Sequence, residues 1–304
     1  MVTNMLSLIK SLSLQNQGSA SLTTEIQSSI VPNSALDTSI KLNKSSNSGP
    51  VKVTSPKAHV GGRSQAEWAD KWWKENALIP ASSNPTVTEQ PFEQYGPVQF
   101  LAGVAGSGSA ERNITISTGT HLYVPVITQV VDNYGFDPAW SEQDSRDAAN
   151  AIVDTVTSQF FNSVTSRGET SLISNWENYR QSSKPGGFSY VAGEDNVLGY
   201  EPGVPIDYAV QDGYWVMLNP LRPGDYTFHF GATGDYSKMK VDQNGNGIEG
   251  DTLGEQLIQD VIDFFAENPQ YSSTFYQDIT YHVTVVPQSK MPTQNLDISA
   301  LASV

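Results

Sequence analysis

Residues 213–231 read GYWVMLNPLRPGDYTFHFG, and two strands flanking a turn account for the whole stretch. Tyr226, Phe228 and Phe230 alternate with Thr227 and His229, the period of two expected where a strand turns one face to a core and the other to water. Tyr214 to Leu218 is apolar at every position, the pattern of a strand covered on both faces. Pro220, Pro223 and Gly224 punctuate the connection: proline fixes φ, and glycine admits conformations that other residues avoid. The stretch is expected at the centre of a sheet.

Short strands recur on either side of it. Val98, Phe100, Ala102 and Val104 alternate in GPVQFLAGVAG, Ile114 and Ile116 in ERNITIST, and Leu122, Val124 and Val126 in HLYVPVITQV. In DITYHVTVV, Ile279, Tyr281, Val283 and Val285 share one side, and Thr280, His282 and Thr284 the other. This pattern predicts a mainly β fold with added helices, an antiparallel β-sandwich of jelly-roll or related topology with three to four peripheral helices.

The helices announce themselves by caps and by apolar residues three and four apart. In RSQAEWADKWWKENALIP, Ser64 and Glu67 make a capping box, Trp68 and Trp72 stand one turn apart, and Pro80 closes the segment. Such a tryptophan pair suits a slab packed on a sheet better than a sugar-stacking platform. A second helical period runs between Ser141 and Ser166 through Ala149, Ile152, Val153, Val156, Phe160 and Val164; a weaker one covers Ser171 to Arg180. The last starts at Thr252, with Glu255 as its capping-box partner, carries Leu253, Leu257, Ile258, Val261 and Phe265, and stops at Asn268-Pro269.

Composition sets the boundaries. Ser11 to Pro56 contains no aromatic residue, too little apolar bulk to offset the entropy of ordering. Residues 1–62 are therefore expected as a disordered leader, 63–287 as one domain and 288–304 as a flexible tail. The opening MVTNMLSLIKSLSL is interrupted by Lys10 and makes a poor secretory signal. No stretch approaches the ~20 apolar residues of a membrane span. The chain has no cysteine, which removes disulfides, thiolate ligands and a cysteine nucleophile. Its net charge of −15 is uneven: six cations oppose two carboxylates before Ser64, so the body is more acidic still. Such a body repels phosphate backbones and favours cations as partners.

Four features bear on chemistry. The glycine-rich GVAGSGSA has neither the G-x-G-x-x-G order nor a following lysine, and reads as a hairpin loop. Residues 185–212 form a long loop region with Glu194, Asp195, Glu201, Asp207 and Asp212, where two converging carboxylates would suit a carbohydrate-active hydrolase. In VDQNGNGIEGDTLGEQL, Asp242, Asn244 and Asn246 alternate before Gly247, the opening of a calcium loop in which oxygen ligands wrap a hard cation. Position twelve is Leu253 instead of glutamate, so Glu249, Asp251 or the Ile248 carbonyl must complete the shell. A plain Asn-Gly turn ahead of a Thr252 cap explains the same residues equally well. His229 and His282 would share a polar face if their strands pair, which with a carboxylate suits a transition metal. Asn43 and Asn113 also head glycosylation sequons.

Taken together, AEWADKWW, Asn84-Pro85, GPVQFLAGVAGSGSAERNITISTGTHLYVPVI, GYWVMLNPLRPGDYTFHFG and FYQDITYHVTV resemble a family of bacterial, often cyanobacterial, proteins. Its members carry a WW helix, a VWFLAG-like strand and a GYWxMLxPLxPG strand pair. The likeness covers about residues 63 to 287 and departs at Asn113, where the family usually has cysteine. It implies a compact bacterial-type domain and no particular reaction. The expected function is a secreted or surface-associated binding or structural module, stabilised by calcium, with a glycan or a second copy of the chain as partner. The alternatives are the hydrolase and a metal-dependent enzyme built on the strand histidines.

Overall fold

The computed structural model describes residues 51–136, 139–156, 161–167, 169–173 and 175–288. Its strands are β1 (Gln94–Tyr95), β2 (Val98–Phe100), β3 (Gly108–Ser117), β4 (His121–Asp132), β5 (Phe161–Ser166), β6 (Glu169–Leu172), β7 (Arg180–Ser182), β8 (Phe188–Val191), β9 (Pro205–Leu218), β10 (Gly224–Asp235) and β11 (Thr274–Val286). The helices are α1 (Gln65–Leu78), α2 (Glu142–Asp154) and α3 (Leu253–Glu267).

The stretch 213–231 does form two strands around a turn, but they belong to different sheets. One sheet runs β1-β2-β4-β9-β7, with β8 also on β9; the other runs β3-β11-β10-β5-β6. The corner at Pro220 thus carries the chain from the middle of one layer to the middle of the next. Alternation then explains the apolar run of β9. Tyr214, Val216 and Leu218 enter a core shared by both sheets, beside Tyr226, Phe228, Phe230 and Ile279. Trp215 and Met217 face the other way, onto Trp68, Trp72 and Phe100. The Trp72 and Trp215 rings meet edge-on at 5.7 Å, and the buried indoles donate to main-chain carbonyls, Trp68 to Val60 and Trp72 to Leu101. The tryptophans of α1 are therefore a slab on the sheet, and both halves of the Ser64–Glu67 capping box form.

Four expectations need correction. The sheets are mixed, not antiparallel, because β2 with β4 and β3 with β11 run parallel. A period of two marks the buried face and is blind to strand direction. The helical period after Ser141 ends at Asp154, and residues 161–166 form β5, which places Val164 opposite Phe228 of β10. Val156 and Val164 suit either structure locally, and the open side of β10 decides. Between Ser171 and Arg180 the chain makes the end of β6 and one 3-10 turn, Trp176–Tyr179, leaving three α-helices among the described residues. Lastly, part of the expected leader belongs to the body. Thr54 N donates to Met217 O at 2.8 Å and Asn219 N to Lys52 O at 2.9 Å. Main-chain pairing along the end of β9 beyond β7 needs no apolar side chains, so composition gave no sign of it. Residues 1–50 and 289–304 of the expected leader and tail, together with Asn43, lie outside the described residues.

Candidate functional site

The residues singled out as calcium ligands form one tight polar turn ahead of α3. Gly245 and Gly247 take positive φ, 71° and 80°, which a side chain would resist. Asp242 Oδ1 accepts from Gly245 N at 2.7 Å and its Oδ2 from Gly247 N at 2.9 Å. Asn244 Oδ1 accepts from Asn246 N at 2.9 Å, and Asn246 Oδ1 from Ile248 N at 2.7 Å. The two carboxamides then reach Asp251: Asn244 Nδ2 donates to Oδ1 at 3.0 Å and Asn246 Nδ2 to Oδ2 at 2.6 Å. The bond from Asn246, with a smaller share from Asn244, holds the Asp251 carboxyl below the ordinary carboxylate value. Asp242, Asn244, Asn246 and Asp251 are thus drawn into one turn, while the Glu249 and Ile248 side chains stand in solvent.

Glu255 is what holds this turn in shape, and sequence reasoning read it only as a helix cap. Thr252 does cap α3, its Oγ1 accepting from Glu255 N at 3.1 Å. The Glu255 carboxylate, 0 % exposed, turns into the loop instead. Oε1 accepts from Gln243 N at 2.9 Å and Asn244 N at 3.3 Å; Oε2 accepts from Gly250 N at 3.1 Å and Asp251 N at 3.3 Å. A buried carboxylate satisfied by four main-chain donors pins both ends of the loop to the first turn of α3.

The histidines do share the outer face of their sheet, since Thr227 lies opposite His282 and His229 opposite Thr280. Each faces its own carboxylate, His229 Nε2 with Asp278 Oδ1 and His282 Nε2 with Glu111 Oε1, both at 2.7 Å. Among the described residues no three His, Cys, Asp or Glu side chains gather as a metal site. Any ion at 242–251 therefore depends on carboxamide and main-chain oxygens as much as on carboxylates.

The acidic residues of 194–212 do not converge. Glu194, Asp195, Glu201 and Asp207 are exposed. Asp212 is 0 % exposed and takes Arg180 Nε at 3.1 and 2.9 Å on its two oxygens, with Arg180 Nη2 also on Oδ2 and Nη1 on Asp154. Burial pushes the Asp212 carboxyl up against the pull of Arg180. This ion triad ties β7 and β9 to the end of α2. Among the described residues no carboxylate lines the cleft of about 180 Å³ that opens between α1, α2, β4 and β11.

No protein-family model and no curated protein matches the chain. A solved structure, that of PbICP-C in complex with falcipain-2, aligns with 63 % of this chain and 100 % of that chain at 11 % identity. Its TM-score of 0.19 is too low to carry an argument. No helix among the described residues is long and apolar enough to cross a membrane.

Proposed function

We propose that this chain is a secreted or cell-surface binding module on a β-sandwich scaffold related to the jelly roll, and that its 242–251 loop takes a calcium ion. The reading rests on one observation: Asp242, Asn244, Asn246 and Asp251 are gathered by a loop whose ends are fixed by the Glu255 carboxylate. The donors are all oxygen, the chemistry of a hard cation, and calcium tolerates an irregular shell better than magnesium does. Asp242, Asn244, Asn246, Asp251 and the Ile248 carbonyl would hold the ion, with Asp251 in place of the missing glutamate. Glu255 would not, because its carboxylate is buried and each of its oxygens takes two main-chain donors, whereas each loop side-chain oxygen takes one donor. The acidic body suits a salty or extracellular setting and a neutral glycan as partner. β6 supports self-association, since it ends its sheet with Leu172 70 % exposed.

Thermal unfolding tests this reading. Calcium at a hundred times its Kd adds about 2.7 kcal/mol of stability, so the melting temperature rises with calcium and not with equal magnesium. Asp242→Ala abolishes the shift. An unchanged melting temperature in millimolar calcium, or a shift that persists in Asp242→Ala, removes calcium from the account.

A further inference from the structure

The cleft of about 180 Å³ is lined by residues from across the chain. Trp72, Ile127 and Val153 lie buried at its base, and Trp73, Tyr134 and Tyr200 stand half-buried along it. An apolar cavity of ~150 Å³ already admits benzene. Although the chain carries 32 acidic and 17 basic residues, none of the described Asp, Glu, Lys, Arg or His residues lines this space. A charged ligand would find no counter-ion there and would lose its water.

Two polar side chains on the lining are buried and keep hydrogen-bonding capacity. Asn76 is 2 % exposed; its Oδ1 takes Thr86 Oγ1 at 3.4 Å, and its Nδ2 has no hydrogen bond among the described residues. Tyr236 is 5 % exposed, its ring held by Phe265 at 5.6 Å and Phe275 at 4.6 Å, and its hydroxyl has no partner among the described residues. Among the described residues the fully buried side-chain atoms without a partner are Gln65 Oε1 and Gln211 Nε2, so Asn76 Nδ2 and Tyr236 Oη, unpaired but not sealed, keep some accessible surface for a ligand atom to meet. Both of these line the same cavity.

The walls are fixed in advance. Gln277 accepts from Val104 N at 2.8 Å and donates to Val104 O at 3.1 Å and Gly106 O at 2.6 Å. A Cβ at Gly103 would meet Gln277 Oε1 at 2.5 Å and push that amide from its place. Trp73 Nε1 donates to Thr128 Oγ1 at 3.2 Å, and Tyr200 donates to the buried Asp132 at 3.0 Å. A rigid aromatic wall with a few fixed polar groups is the usual make-up of a small-molecule site.

We propose that the cleft binds an uncharged small molecule of one or two fused rings, whose carbonyl or hydroxyl oxygen meets Asn76 Nδ2 and Tyr236 Oη. The site stands apart from the calcium loop and works with or without that ion.

The test titrates the full chain, in EDTA and in calcium, with indanone, indane and indanecarboxylate, following tryptophan fluorescence and calorimetric heat. Indanone is expected to bind saturably and tightest, and indanecarboxylate not at all. Tyr236→Phe, which deletes only the hydroxyl, weakens indanone about tenfold and leaves indane unchanged. Should Tyr236→Phe fail to fold, Leu198→Trp, which fills the cleft from its half-buried lining, decides instead by abolishing binding of both. No saturable binding of indanone, equal binding of the carboxylate, or indanone affinity unmoved by a folded Tyr236→Phe overturns the proposal. Loss of the calcium response alone does not touch it.

Discussion

The 242–252 loop and the cleft beside α1 are built in opposite ways. The loop draws its polar groups from one short run of exposed residues, while the cleft draws uncharged walls from Trp72 through Gln277. Yet each is held by one side chain of another element that bonds to main chain. Glu255 gathers four N–H groups of the loop, and Gln277 gathers the 104–106 backbone. The difference teaches that local chemistry supplies a polar site and tertiary packing an apolar one, and that both need a buried polar anchor to keep their shape.

If that comparison holds, removing an anchor damages its own site and spares the other. The largest effect is expected for Glu255→Ala, which strands main-chain donors around an emptied carboxylate position. A loss of about 3 kcal/mol, read by urea unfolding, should accompany loss of the calcium response with indanone binding intact. Equal damage to both sites would break the comparison. Gln277→Leu comes next: about 2 kcal/mol, weaker indanone binding and an unchanged calcium shift.

How much of this was legible follows the same division. The alternation in 213–231 and the caps at Ser64 and Thr252 are local signals, and the strands and helices they mark are present, although β9 already starts at Pro205, inside the expected loop 185–212, and the helix after Ser141 stops at Asp154. The apolar run of β9 was readable as a strand covered twice, but which layer lay on which side was not. Parallel pairing of β3 with β11, the strand at 161–166 and the binding of residues 52–54 to β9 depend on which backbone edges are open. Those edges exist only after the chain has folded. Glu255 looked like a cap because its spacing from Thr252 fits one, and the donors it meets instead are set by the turn of the loop. No spacing joins Asn76 to Tyr236.

Smaller tests sharpen the cleft side. Tyr200→Phe deletes one hydrogen bond to Asp132 and should cost about 1 kcal/mol in equilibrium unfolding, leaving the ring in the wall. Asp132 itself accepts from Tyr190 Oη at 2.6 Å and Tyr134 N at 3.0 Å, and burial pushes its carboxyl above the ordinary 3.8. The native state then binds more protons than the unfolded chain, so stability falls as pH rises from the ordinary value through the raised one. Compared with Asp132→Asn, the native protein should lose ground across that window and hold a constant difference above it. A difference that grows in favour of the native protein as pH rises would show the carboxylate to be better accommodated than its burial implies.

The most direct test of the account is calorimetric titration of the full chain with calcium up to ~1 mM, the upper range for extracellular modules. The account predicts saturable heat for one ion per chain, absent with magnesium and absent in Asp242→Ala/Asp251→Ala, with the variant still folded by circular dichroism. No heat from the native chain, or the same heat from the double variant, would contradict it.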